Sequence, residues 1–156
     1  MLKLILLFLL TFLAKIALGI TNEERHEFLD AIRPQAARMA GQPVRFKVDK
    51  INYDKGWIVL FGELLAQDGK VMDWRKAVNC DSNLDKSLWV VAKKGQQGWQ
   101  VKEMFICSPE PPYWYLNPKV AFDRPCGIYT GLEISGDETA EQQCRAYVAK
   151  KRSAKH

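Results

Sequence analysis

The residues of this 156-residue chain with the most distinctive chemistry are its four cysteines and two histidines. Cys80, Cys107, Cys126 and Cys144 form an even set, and none of their spacings is C-x-x-C. A zinc ribbon or a thioredoxin-type redox pair would need that short spacing, so neither is indicated. An even count in an exported chain reads as two disulfides, for which three connectivities exist. Cys80 with Cys107 and Cys126 with Cys144 is the pairing favoured among them. His26 falls on a predicted helix one turn before Leu29, where it reads as a surface or boundary side chain, and His156 is terminal. No H-E-x-x-H, G-x-S-x-G or phosphate-cradling glycine loop occurs. A Cys–His hydrolase needs a free thiol beside a base, and cysteines in an oxidising compartment go mainly to disulfides. The carboxylates show no clustering that singles out the pair glycoside hydrolysis uses. No catalytic residue, metal ligand or cofactor is therefore assigned.

What remains is binding chemistry. Pro111-Pro112-Tyr113-Trp114-Tyr115-Leu116 combines rigid prolines with aromatic rings. Tyr and Trp offer a large contact area with few torsions to freeze, and proline lowers the ordering cost of binding. Tyr113, Trp114 and Tyr115 are accordingly candidate binding residues. The competing reading is that they fold back over one end of a sheet, since a small domain needs every apolar burial available. Trp74 and Arg75, expected on the edge of a third strand, form a second candidate pair, although a strand Trp is more often core.

The elements that must position these residues begin after an export signal. Lys3, the apolar run Leu4–Ala14 and the small residues Ala17 and Gly19 follow the three-part secretory pattern. A spanning helix takes about 20 apolar residues, and Lys15 interrupts this run first. Residues 1–19 are thus expected to be a cleaved signal peptide and 20–156 a single domain that does not span the membrane. The chain holds 23 Lys+Arg and 18 Asp+Glu, and loss of Lys3 and Lys15 leaves 21 against 18, a net charge of +3. The basic run Lys150, Lys151, Arg152, Lys155 reads as a solvated end. Without a basic face carrying interleaved stacking residues, nucleic acid is not an expected partner. The absence of any Asn-x-Ser/Thr site leans toward a bacterial envelope.

Thr21 and Glu24 form a capping box for a helix from Asn22 to about Ala40, with Phe28, Leu29, Ile32, Ala36 and Met39 as its buried stripe. Pro34 is expected to kink or split it, and Gly41 to end it. Val44, Phe46 and Val48 alternate with charged residues as a strand does. A turn at Asp54-Lys55-Gly56 leads to a central strand Trp57–Leu64. Asp68-Gly69 then signals a hairpin with Val71–Val78 as its return strand. Ser87–Lys94 and Trp99–Cys107 pair across Gly95–Gly98. Alternation in the latter leaves its inner face open between Trp99, Val101, Glu103, Phe105 and Gln100, Lys102, Met104, Ile106. Prolines make Ser108–Pro125 a loop. A short strand Gly127–Ile134 and a helix from Asp137 to Lys150, capped by Ser135 and Glu138, complete the α+β plan.

One helix followed by a meander of four or five strands resembles the cystatin-like arrangement. Arg33-Pro34, Gly41-Gln42-Pro43-Val44-Arg45-Phe46, Trp57 and Gly62 are also similar to small exported bacterial proteins of unknown function. These motifs are structural; they imply export and fold and transfer no activity. The expected function is that of an exported binding protein in the periplasm or secreted medium, acting on another envelope protein, as an immunity or inhibitor protein against an envelope-acting toxin or hydrolase does. The alternative is a small-ligand carrier or sensor with a pocket between helix and sheet. An envelope hydrolase, with a cleft holding carboxylates of perturbed proton affinity, is the third.

Overall fold

Thr21 sets where the first helix begins. Its hydroxyl oxygen accepts from the Glu24 amide at 3.1 Å, and the Glu24 carboxylate accepts from the Thr21 amide at 3.2 Å, the reciprocal cap the sequence announces. In a computed structural model of the chain, residues 19–78, 80–81, 83, 85–108, 117–135 and 137–154 are described. Helix α1 spans Asn22–Ala40 and buries Phe28, Ile32, Ala36 and Ala40 completely. Leu29 and Met39 sit half-buried at the margins of that stripe. Of the two expected outcomes at Pro34, a split does not occur: the helix runs through it unbroken. Asp30 and Pro34 both lie on the exposed side, so the carbonyl that loses its partner faces water. Gly41 ends α1 with φ +64°, its amide bonding back to Ala37 and Arg38.

Strands β1 (Val44–Asp54), β2 (Trp57–Ala66), β3 (Ser87–Gly95) and β4 (Gly98–Ser108) follow as an antiparallel meander in the order β1-β2-β3-β4. The tight turn between β1 and β2 places Lys55 and Gly56 at φ 48° and 78°, the left-handed pair that matches strand twist. The expected return strand at Val71–Val78 does not form. Ala66 and Gly69 close a turn, and Trp74–Lys76 make one turn of 3-10 helix capped by Asp73. The Asp73 carboxylate takes the Arg75 amide and guanidinium, a local alternative that competes with a ladder. Val71 and Val78 are left exposed. The place beside β2 goes instead to β3, whose Leu88–Ala92 is buried on both faces.

Of the three register irregularities in the sheet, one in β1 and one in β4 decide which side chains of those strands face which layer. The third lies between Ser87 and Trp89, opposite Phe105–Ser108. In β1, Val48 lies opposite Gly62 but Lys50 opposite Phe61, so Asp49 is the extra residue. Val44, Phe46, Val48 and then Ile51 therefore pack toward α1, while Lys50, Asn52 and Asp54 face away. In β4, Val101 lies opposite Ala92 but Glu103 opposite Val91, so Lys102 is extra. Trp99 and Val101 before it share the α1 side with Met104 and Ile106 after it, which answers the ambiguity that alternation leaves. Gly62 lies where β1 bulges inward, and a Cβ there would stand 2.1 Å from the Lys47 carbonyl oxygen. Gly62→Ala is expected to lower unfolding free energy by about 1–3 kcal/mol, as overpacking does. An unchanged denaturation midpoint would show that the bulge relaxes freely.

On the sheet face away from α1, Val59, Trp89 and Val91 meet Phe122, Ile128, Tyr129, Leu132 and Ala140 in a second core. These come from α2 (Pro118–Ala121), a 3-10 turn Cys126–Tyr129, the short pair β5 (Glu133–Ser135) and β6 (Glu138–Thr139), and α3 (Ala140–Ser153). The expected strand Gly127–Ile134 is thus a 3-10 turn up to Tyr129 and a strand only from Glu133. Its backbone is satisfied from β1 rather than by a ladder. Asn52 Nδ2 donates to the carbonyls of Ile128 at 3.1 Å and Thr130 at 2.8 Å, Lys50 Nζ donates to that of Gly131, and the Gly127 amide donates to Asp54 at 3.2 Å. Helix α3 starts later than expected because Glu138 and Thr139 pair with β5, and its capping box is Thr139 with Gln142.

Disulfides join Cys80 to Cys107 and Cys126 to Cys144, with Cα atoms 5.5 and 5.6 Å apart, the pairing favoured from sequence. The protein is therefore α+β, with an N-terminal helix, a four-stranded antiparallel sheet, a C-terminal helix and two bridges. Among the described residues no helix is long and apolar enough to cross a membrane.

Candidate functional site

Tyr113, Trp114 and Tyr115 lie outside the described residues, as do residues 1–18 of the expected signal peptide. The second predicted pair is separated by the 3-10 turn. Trp74 is half-buried and packs against the α1-side core, with the Lys86 ammonium 5.9 Å from its ring centroid. That is the core role a Trp more often plays. Arg75 is exposed and held by Asp73, at 2.8 Å through Nε and 3.0 Å through Nη2. Neither residue has a strand edge to present.

A different site forms where the β1–β2 turn, the segment after α2 and one face of α3 come together. They enclose a cleft of about 710 Å³, within the volume range of ligand sites. Trp57, the first residue of β2, supplies an aromatic wall. Its cross-strand partner Lys93 places an ammonium 5.3 Å from the ring centroid, and the Arg124 guanidinium lies 5.5 Å from it. Arg124 directly follows the turn that ends α2, and only 8% of its side chain is exposed. One guanidinium nitrogen, Nη2, pairs with Glu103 on β4, and the buried guanidinium also interacts with the Tyr129 hydroxyl. Beneath it, burial pushes the Tyr129 hydroxyl up to about 12. The phenol therefore stays neutral and donates to the Ala121 carbonyl at 2.8 Å.

Arg145, Val148, Ala149 and Arg152 line the cleft from α3, at the i, i+3, i+4, i+7 spacing of one helix face. Arg145 binds Glu141 through Nε at 2.9 Å and Nη2 at 2.5 Å. A bond from Thr130 and this guanidinium hold the Glu141 carboxyl below its ordinary range. Lys151 pairs with Asp123 at 2.5 Å, which raises the ammonium's proton affinity. Lys55, on the opposite wall, and Arg152 make no ion pair among the described residues. Of the five cationic side chains in the lining, Arg124, Arg145 and Lys151 are paired with Glu103, Glu141 and Asp123, which leaves Lys55 and Arg152 against the Asp54 carboxylate, a small cationic excess.

The same inventory bears on reactivity. Four carboxylates with displaced proton affinity, Glu24, Asp68, Asp73 and Glu141, are all displaced downward by cations or donors beside them. General-acid work at neutral pH requires the opposite displacement. Among the described residues no group of His, Cys, Asp and Glu is arranged to hold a metal ion.

Sequence reasoning missed this cleft because its parts are distant in the chain. The one local signal was the spacing of Arg145 and Arg152 about Val148 and Ala149, hidden inside a basic run that reads as a solvated end. Comparison with described protein families, characterised proteins and solved structures finds no match.

Proposed function

We propose that this chain is an exported binding protein of cystatin-like design, without chemistry of its own. Its occupant on this reading is another protein of the cell envelope, which it restrains as an immunity or inhibitor protein restrains a toxin or hydrolase. The observation that carries the reading is the aromatic and cationic cleft around Trp57 and Arg124, set on a doubly bridged scaffold. Paired disulfides belong to oxidising compartments, which supports a periplasmic or secreted location. The downward-displaced carboxylates and the ion pairs that hold them favour recognition over hydrolysis.

The test is affinity capture by the oxidised protein from an envelope extract, with retained species identified by mass spectrometry and assayed for inhibition. One enriched protein, inhibited at equimolar ratio and released by Trp57→Ala in the cleft wall, is the expected outcome. Retention of nothing, or of a protein whose activity is unchanged, would remove the inhibitor role.

A small-ligand carrier is the second reading, favoured by the cleft's volume. The space it would first be sought in, between α1 and the sheet, is filled by Phe28, Ile32, Leu60, Leu88 and Val90. Its ligand would therefore sit in the α3 cleft.

A further inference from the structure

We infer that the cleft between the β1–β2 turn and α3 takes an acidic segment of a partner protein, with two carboxylates about 10 Å apart and an apolar residue between them. This deepens the binding reading above and rests on it. The charge pattern sets the length of the occupant. Arg145 and Arg152 are seven residues apart on one face of α3, which at 1.5 Å per residue separates them by about 10 Å along the axis. An extended peptide covers that distance in three residues at roughly 3.3–3.6 Å each. Lys55 and Arg152 make no ion pair among the described residues, whereas Arg145 is held by Glu141, with which an incoming carboxylate competes.

The surface between the cations sets the occupant's composition. Val148 and Ala149 lie between the two arginines on the helix face, and Trp57 and Phe122 line the other side. An inorganic polyanion would leave that apolar surface uncovered, whereas a peptide with apolar side chains between its carboxylates covers it. Arg124 fixes the aromatic wall of the cleft: its residue is nine-tenths buried, its guanidinium lies over Trp57, and Glu103 and the Tyr129 hydroxyl hold it there.

The experiment titrates the oxidised protein against a fluorescein-labelled peptide repeating Glu-Ala-Leu, its Gln-Ala-Leu counterpart and inorganic polyphosphate, at low and high salt. The Glu peptide is expected to bind and to weaken with salt, and the Gln peptide not to bind. Arg145→Ala and Arg152→Ala are each expected to weaken binding about tenfold, the effect of losing one charged hydrogen bond, with unchanged thermal midpoints. Lys47→Ala, paired with Glu63 away from the cleft, should bind as the parent does. Equal binding of the Gln peptide, or indifference to both arginine variants, overturns the inference. Tighter binding of polyphosphate than of the Glu peptide overturns it in favour of a phosphate polyanion. An envelope partner captured equally by the Arg145→Ala, Arg152→Ala double variant overturns it while leaving the binding reading intact. Salt-sensitive, arginine-dependent peptide binding with no envelope protein retained supports the cleft's chemistry and removes the inhibitor role.

Discussion

Replacing all four cysteines by serine is expected to lower the unfolding free energy by roughly 6 kcal/mol, about 3 kcal/mol for each bridge. The reasoning is one of chain entropy. The bridges close segments with sequence separations of 27 and 18, and each forbids the extended conformations an open loop of that length explores. Domains of this size have about 5–15 kcal/mol in all, so the serine variant should lose about half or more of its stability. Urea titration of the oxidised parent beside the single-bridge and double-bridge variants reads the effect. Midpoints within experimental error of the parent would mean that the layers hold without covalent help.

Trp89→Ala is the second large change, expected to remove about 3–5 kcal/mol, as truncating a buried aromatic does. Trp89 is 1% exposed, and it stands on the central strand with its ring in the core under the C-terminal layer. Its loss leaves a cavity that neighbours on a rigid sheet cannot fill. Because Phe28 fills the other core, Phe28→Ala makes a matched comparison. Hydrogen exchange should show Trp89→Ala exposing the amides of the 3-10 turn Cys126–Tyr129 and α3 more than those of α1, and Phe28→Ala the reverse. Equal loss of protection everywhere would show the two layers to be one cooperative unit, and a change below about 1 kcal/mol would show that the Trp89 pocket collapses.

Much of the first layer was legible because its signals are local. The Thr21–Glu24 box, the Gly41 stop and the Lys55-Gly56 turn each rest on residues within five positions of one another, and each lies where expected. Strand pairing was harder. Asp68-Gly69 does turn the chain, yet Val71–Val78 leaves the sheet because Asp73 binds Arg75 locally and β3 offers a doubly apolar stretch for the place beside β2. Such competition is settled by tertiary burial, which a single segment does not display. The bulges at Asp49 and Lys102 were invisible for a related reason. A period-two pattern carries no mark of the extra residue that reverses it. The C-terminal layer was legible as to its helix but not its docking, which depends on Lys50, Asn52 and Asp54 reaching backbone more than 70 positions away. For the same reason the cleft escaped the sequence, since no short window contains Trp57, Arg124 and Arg145 together.

The disulfide connectivity has a consequence for biosynthesis. Every nascent chain emerges N-terminus first, presenting Cys80, Cys107, Cys126 and Cys144 in that order. Of the three ways to join four thiols, this protein uses the one that joins each odd thiol to the next to appear. An oxidase acting on thiols as they arrive makes the native bridges directly, and no isomerase is needed to reshuffle them. The first bridge lies at the end of the meander and the second wholly within the C-terminal layer, so the connectivity permits the two layers to be sealed one after the other.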